Sequence, residues 1–242
     1  MIFLLFSIGG VMLLTAIELR WPASTEPSTR LVNAKVWALY AAVTYALVPV
    51  VGSLATRGVN WLGGGVFDLA SWPIVLGVLA FAFAMDFGEF LFHRAQHAIP
   101  FLWRMHSLHH SDPNMNATTA ARHFWADPLI KAVTVWPAVG LLFKPTPLIL
   151  VIYASLSLYH YFAHANLRVN FGRLSWVLNA PAYHRLHHSA DPQDYGTNFA
   201  GLFPIFDLIF GSYRQPTRFV QTGLAERPRG LLDAIVWPAK AR

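Results

Sequence analysis

Residues 72–92 form an apolar run, broken only by Asp86 and Glu89, that ends directly on His93-Arg-Ala-Gln-His97. A run of about 20 apolar residues is long enough to cross a bilayer as a helix. Histidines four apart share one helix face, with Cβ atoms about 5–6 Å from one another. This junction predicts a membrane helix that presents two imidazoles side by side at one end.

Three more clusters follow: His106-Ser-Leu-His109-His110, His160-Tyr-Phe-Ala-His164 and His184-Arg-Leu-His187-His188. The four clusters use ten of the eleven histidines. In the H-x-x-H-H pattern the first histidine shares a face with both later ones. The adjacent pair diverges by about 100° around the helix. One member is expected to face one metal ion and its neighbour a second. Four such clusters suit two ions with about five nitrogen ligands each. His123 is left over and is expected to pack beside the ligands rather than join them.

The chain contains no cysteine, which excludes disulfides, iron–sulfur clusters and thiolate ligation of haem or zinc. Imidazole suits zinc, copper, iron and nickel alike. No H-E-x-x-H motif is present, as a zinc protease would have. An all-histidine two-metal centre suits oxygen chemistry better than lipid hydrolysis. A metal transporter would place ionisable residues deep within several spans, whereas these histidines lie at span ends and beyond. A b-type cytochrome needs far fewer histidines.

Only 12% of residues are charged and 55% are hydrophobic, with a mean hydropathy of +0.41. Apolar segments at 2–19, 36–55 and 72–92 read as spans, the first of them as a membrane helix and not a cleaved signal. Segments 133–143 and 147–162 read as a hairpin around Lys144-Pro145. Its first limb contains Pro137 and is short for a span, so the hairpin is expected to be partly re-entrant. The net charge of +6 fits basic cytoplasmic loops and lacks the aromatic-interleaved runs of a nucleic-acid site. Placing the polar 22–35 loop inside by the positive-inside rule carries every histidine cluster to the cytoplasmic face. The fold class expected is all-α: an integral membrane helical bundle of about four to five apolar segments under a cytoplasmic helical cap that carries the histidines. Residues 1–71 are expected to form N-terminal membrane helices, 72–215 the metal domain and 216–242 a C-terminal tail.

Six residues are candidates for supporting the ligands: Asp86, Glu89, His123, Asn179, Asn198 and Asp207. Asp86 lies two turns before His93 and is expected to accept an imidazole N–H, the common outer partner of a ligating histidine. Glu89 is its i,i+3 neighbour; its plainer reading is an interfacial acid paired with Arg94 or another base. Asp112-Pro113 and Asp191-Pro192 are turn signals first.

At these residues the chain resembles the fatty acid hydroxylase / sterol desaturase superfamily of integral membrane enzymes, over roughly 80–215. The likeness rests on the order and spacing of the four clusters, on Tyr195-Gly196 and Asn198-Phe199, and on Phe206-Asp207-Leu-Ile-Phe210-Gly211-Ser-Tyr213. Asp194 and Phe206 depart from the usual Asn and Trp of that pattern, and 122–128 matches it only loosely. The resemblance implies two iron ions, with zinc as a substitute in purified protein, and dioxygen as co-substrate. It also implies a lipid substrate drawn from the bilayer, electrons from a separate donor protein, and hydroxylation or desaturation of an unactivated C–H bond. It carries no indication of which lipid.

Overall fold

The computed structural model describes residues 2–25 and 29–240, with side chains from residue 8 onward. The described residues are mostly helical. In order its helices are α1 (Ile2–Arg20), α2 (Arg30–Trp61), α3 (Ile74–Ala98), α4 (Pro100–His110), α5 (Asp127–Val133) and α6 (Val135–Leu142). Then follow α7 (Pro147–Ser157), α8 (Tyr159–Ala163), α9 (Pro181–His187), α10 (Ile205–Ile209), α11 (Leu231–Ile235) and α12 (Trp237–Lys240).

Among the described residues, α2 and α3 are the two helices long and apolar enough to cross a membrane. The expected first span, 2–19, falls on α1, but the side chains of residues 2–7 lie outside the described residues. α2 is longer than its expected span of 36–55 at both ends. Its first turn was expected to be loop. It is helical, as its helix formers Arg30, Leu31, Ala34 and Lys35 favour, and it is tied down by buried Asn33, which bonds to Asp112, Thr118 and Arg122. α3 continues unbroken through His97, so the span and the first histidine pair are one helix.

The hairpin is broken into short pieces. α5 ends at Val133, four residues before Pro137, whose ring clashes with the carbonyl of residue i−4 in a continuous helix. Thr134, with φ −121° and ψ −78°, takes up the kink before α6. Neither α6 nor α7 is long enough to span. Beyond α6, the two-residue strand β2 (Phe143–Lys144) pairs in parallel with β1 (Phe67–Asp68). The α2–α3 connection and the hairpin tip therefore meet at one end of the bundle, away from the histidines at the C-terminal end of α3.

Two of the short histidine helices, α4 and α9, start with the same device. Ile99 and Ala180 precede Pro100 and Pro181 and are extended, as a pre-proline residue prefers. The chain turns there, and proline occupies the first helical turn, where its missing N–H costs nothing. α4 thus folds back on α3.

The N-terminal helices are tied into the histidine region by buried charge. The Glu18 carboxylate, 1% exposed, accepts the backbone N–H groups of Ala117 and Asn166, both at 2.7 Å, and pairs with Arg30 at 2.8 Å. Removing one partner of such a buried pair costs about 3–5 kcal/mol. Glu18→Ala is expected to lower the thermal unfolding midpoint of the detergent-solubilised protein strongly; an unchanged midpoint would show that α1 is not held this way. The segment expected only as a tail, 216–242, is described as far as 240, and there it folds back: the Trp237 indole donates to Ser107 Oγ at 2.9 Å and packs with Val36, Met105, Leu108 and Phe124.

Candidate metal centre

Nine of the ten clustered histidines converge in two adjoining groups. His93, His97, His106, His110 and His187 form one, and His109, His164, His184 and His188 the other. Within each group one ring nitrogen per residue lies within 4.8 Å of all the others. Adjacent histidines are divided between them: His109 and His110 part, as do His187 and His188. The groups touch where the His110 and His188 rings stack, with centroids 4.3 Å apart. His160 belongs to neither group, although it faces the same chamber as His109, His164 and His184.

Facing nitrogens are close. His93 Nε2 and His110 Nε2 lie 3.0 and 3.2 Å from His106 Nε2. His109 Nε2 and His184 Nε2 lie 3.1 and 3.0 Å from His164 Nε2. With metal–nitrogen bonds of about 2.0–2.1 Å, neighbouring ligands at right angles are about 3 Å apart, so these spacings fit a shared ion.

Backbone carbonyls set several tautomers. A carbonyl can only accept, so His93 donates from Nδ1 to Phe199 O at 2.7 Å, His164 to His160 O at 2.7 Å and His187 to Thr197 O at 2.8 Å. Each leaves Nε2 as a lone pair aimed at its group. The remaining sites are short of partners: His97 Nε2, His187 Nε2, both nitrogens of His188, and Nδ1 of His106, His109 and His184 are buried without a hydrogen bond. A buried polar atom without a partner is costly, and an ion would satisfy the nitrogens that face inward. Burial, reinforced by the neighbouring imidazoles, holds His106, His109, His110, His184 and His188 well below the ordinary histidine range. Burial pushes His187 down to about 4, against the raising effect of its bond to Thr197. These groups are neutral at pH 7, the form that binds metal.

The supporting residues divide the work differently from the expectation. Asp86 accepts no imidazole proton; its two oxygens take the backbone N–H groups of Leu202 and Phe203, both at 2.8 Å. Asp207, fully buried, accepts Phe199 N at 2.9 Å, Ala200 N at 2.8 Å and Ser212 Oγ at 2.6 Å, together with the Tyr183 hydroxyl. Asn179 donates to the carbonyls of Ala200 and Gly201. Asn198, at φ 59°, donates to the carbonyls of Tyr183 and Arg214. All four clamp the 197–203 segment, and that segment supplies the carbonyls that hold His93 and His187. Glu89 pairs with Lys131 at 2.8 Å, and not with Arg94. His123 stacks on His109, 4.6 Å between centroids and 9° between planes.

Other residues had no signal strong enough to single them out. Arg122 donates to Leu108 O, Asn33 Oδ1 and Ser111 Oγ behind the second cluster. Gly201 lies so close to His160 that an added Cβ would meet its ring at 2.6 Å and Asp86 at 2.8 Å. A glycine gives no hint in sequence of which side chain presses against it.

A profile of the fatty acid hydroxylase family matches residues 78–212. The chain is 33% identical over 154 residues to alkylglycerol monooxygenase of Xenopus tropicalis, covering 63% of this chain and 32% of that protein. It is 34% identical over 166 residues to alkylglycerol monooxygenase of Danio rerio, covering 69% of this chain and 34% of that protein. It is 30% identical over 170 residues to the ornithine lipid hydroxylase OlsE of Rhizobium tropici, covering 69% of this chain and 51% of that protein. The chain thus spans about a third to about a half of these relatives' lengths. No solved structure matches it.

Proposed function

The chain belongs to the fatty acid hydroxylase family, and from that premise we propose that it is a membrane-embedded monooxygenase that hydroxylates a C–H bond of a lipid, using two iron ions, dioxygen and electrons from a separate donor protein. The observation that carries this reading is the pair of adjoining imidazole groups. The five-nitrogen group would hold one ion. The four-nitrogen group, with His160 beside it, would hold the other. Bound iron would supply the activation of dioxygen and the oxidation of the C–H bond. The protein's part is to hold the ions and aim the substrate carbon. Hydroxylation is preferred to desaturation because the named relatives are a monooxygenase and a hydroxylase.

A chamber of about 350 Å³ adjoins both groups and is lined by His93, His106, His109, His164 and His184 among others. It is a place for the reacting part of a lipid. The topology proposed is that of the positive-inside rule, with four to five apolar segments and the histidines in a helical cap on the cytoplasmic face. The meeting of β1 and β2 at the far end supports it, because the α2–α3 loop and the hairpin tip then share the other side.

Incubation of iron-loaded, full-length protein with a chemical reductant, lipid extract and ¹⁸O₂ is expected to yield lipid hydroxyl groups that carry the label. Label from H₂¹⁸O alone would overturn the oxygenase reading.

A further inference from the structure

A second, larger space adjoins the metal chamber. A groove of about 690 Å³ lies between α2, α3, α6 and α7 and reaches as far as Gly64, Gly65 and Lys144 at the end opposite the histidines. Trp136 and Tyr153 line both the groove and the chamber. This aromatic pair therefore stands between the two spaces, with Tyr153 held edge-on by Phe81 at 5.4 Å. Along α3 the order is Phe81 and Met85 in the groove, then Glu89 and His93 in the chamber. At 1.5 Å per residue, the path from Phe81 to His93 is about 18 Å.

The two spaces differ in chemistry. The groove wall is mostly apolar along α2, with Val48, Pro49, Gly52, Ala55 and Val59. The chamber wall contains Tyr40, Glu89, Lys131 and Ser157 beside the histidines. Intramembrane ionisable groups are expensive, and mark functional sites by default. A hydrocarbon chain laid against the Glu89–Lys131 pair would strip water from the charges and give nothing in return. A polar headgroup in the same place would bond to them.

We propose that the chamber seats the polar headgroup of the lipid substrate, with Glu89 and Lys131 as its contacts, while the hydrocarbon chain passes between Trp136 and Tyr153 into the α2–α3–α6–α7 groove. The C–H bond facing the metal groups is then in the headgroup or at the first carbons of the chain, not at the chain terminus. This inference rests on the lipid-hydroxylase reading for the presence of a substrate, but its test does not depend on turnover.

The test is photolabelling of the full-length, metal-loaded protein in lipid discs with two forms of a long-chain 1-O-alkylglycerol. One carries a diazirine near the glycerol, the other near the chain end. The first is expected to label chamber residues such as Tyr40 and Ser157, and the second groove residues between Val48 and Val59. Gly52 supplies the control. A Cβ there meets nothing within 4 Å, so the backbone accepts a side chain at this position, and Gly52→Trp places an indole in the groove. It is expected to cut chain-end labelling by on the order of tenfold, the scale of an overpacked site, with metal content retained. A reversed labelling order overturns the proposal. So does chain-end label on Ile8, Val11 or Met12, which line a smaller apolar pocket that shares Trp37, Ala121 and Tyr161 with the chamber wall. Label on the groove that Gly52→Trp leaves unchanged, or no label in either space, also overturns it. If ¹⁸O₂ labelling fails while this pattern holds, the oxygenase reading falls and the seating stands. If ¹⁸O enters at the chain terminus, the seating falls and the oxygenase reading stands.

Discussion

Replacing His187 or His109 by alanine is expected to remove one metal ion from the protein and to abolish turnover. His187 gives the five-nitrogen group a lone pair whose direction is set by the Thr197 carbonyl. His109 supplies one of only four nitrogens in the other group. The smaller group has less to spare, so His109→Ala is expected to lose its ion more completely. Loss of even an outer partner of a ligating histidine costs about 10–100-fold in affinity or activity, and loss of the ligand itself is expected to exceed that. Metal analysis of the purified variants should fall from about two ions per chain toward one, the count expected when one of two histidine-held sites is lost. His123→Ala provides the contrast. It removes a ring that stacks on His109 but belongs to neither group, so both ions are expected to stay, with a partial loss of rate. Full activity and two ions in His109→Ala or His187→Ala would remove that residue from the site.

The histidines were legible because their message is local. A 3.6-residue period requires adjacent imidazoles to point apart, and His109/His110 and His187/His188 lie in different groups. The run into His93 was legible for the same reason: α3 has no breaker between its apolar part and His97. His160 shows where such reasoning stops. Its four-residue spacing to His164 is right for a helix, yet α8 ends at Ala163, and the His160 carbonyl accepts a bond from His164. The start of α2 was read as loop although Arg30, Leu31, Ala34 and Lys35 favour helix, whereas the roles of Glu18, Asn33 and Arg122 were not legible. Their partners lie 79 to 99 positions away for Glu18 to Ala117, Asn33 to Asp112 and Arg122 to Asn33, and buried polar groups of this kind leave no periodic trace. Asp86 was picked out for its position, but its partners were misjudged. The backbone of 202–203 returns to it from the far end of the domain, and that return depends on the whole fold.

Asp207→Asn is expected to weaken the five-nitrogen group selectively, although Asp207 touches no histidine. Its carboxylate accepts two backbone N–H groups, the Ser212 hydroxyl and the Tyr183 hydroxyl. An amide keeps the shape but turns one acceptor into a donor that faces other donors. Buried donors left without acceptors cost about 1–3 kcal/mol each, more where the lost partner was charged. The segment that would shift is 197–200, and its carbonyls fix the tautomers of His187 and His93. Both residues belong to the five-nitrogen group. In the other group, His164 takes its carbonyl from His160 within its own turn, so it does not lean on 197–200. Chelator competition should therefore show one ion bound about 10–100-fold more weakly, the range for lost outer partners, and the second affected less. Tyr183→Phe would separate the two routes from Asp207. It removes the hydroxyl bond to α9 but leaves both backbone amides held, so the selective loss should be small. Equal weakening of both ions in Asp207→Asn would mean that the carboxylate acts on the fold as a whole, and unchanged affinity for both would mean that the 197–200 carbonyls do not set the ligands.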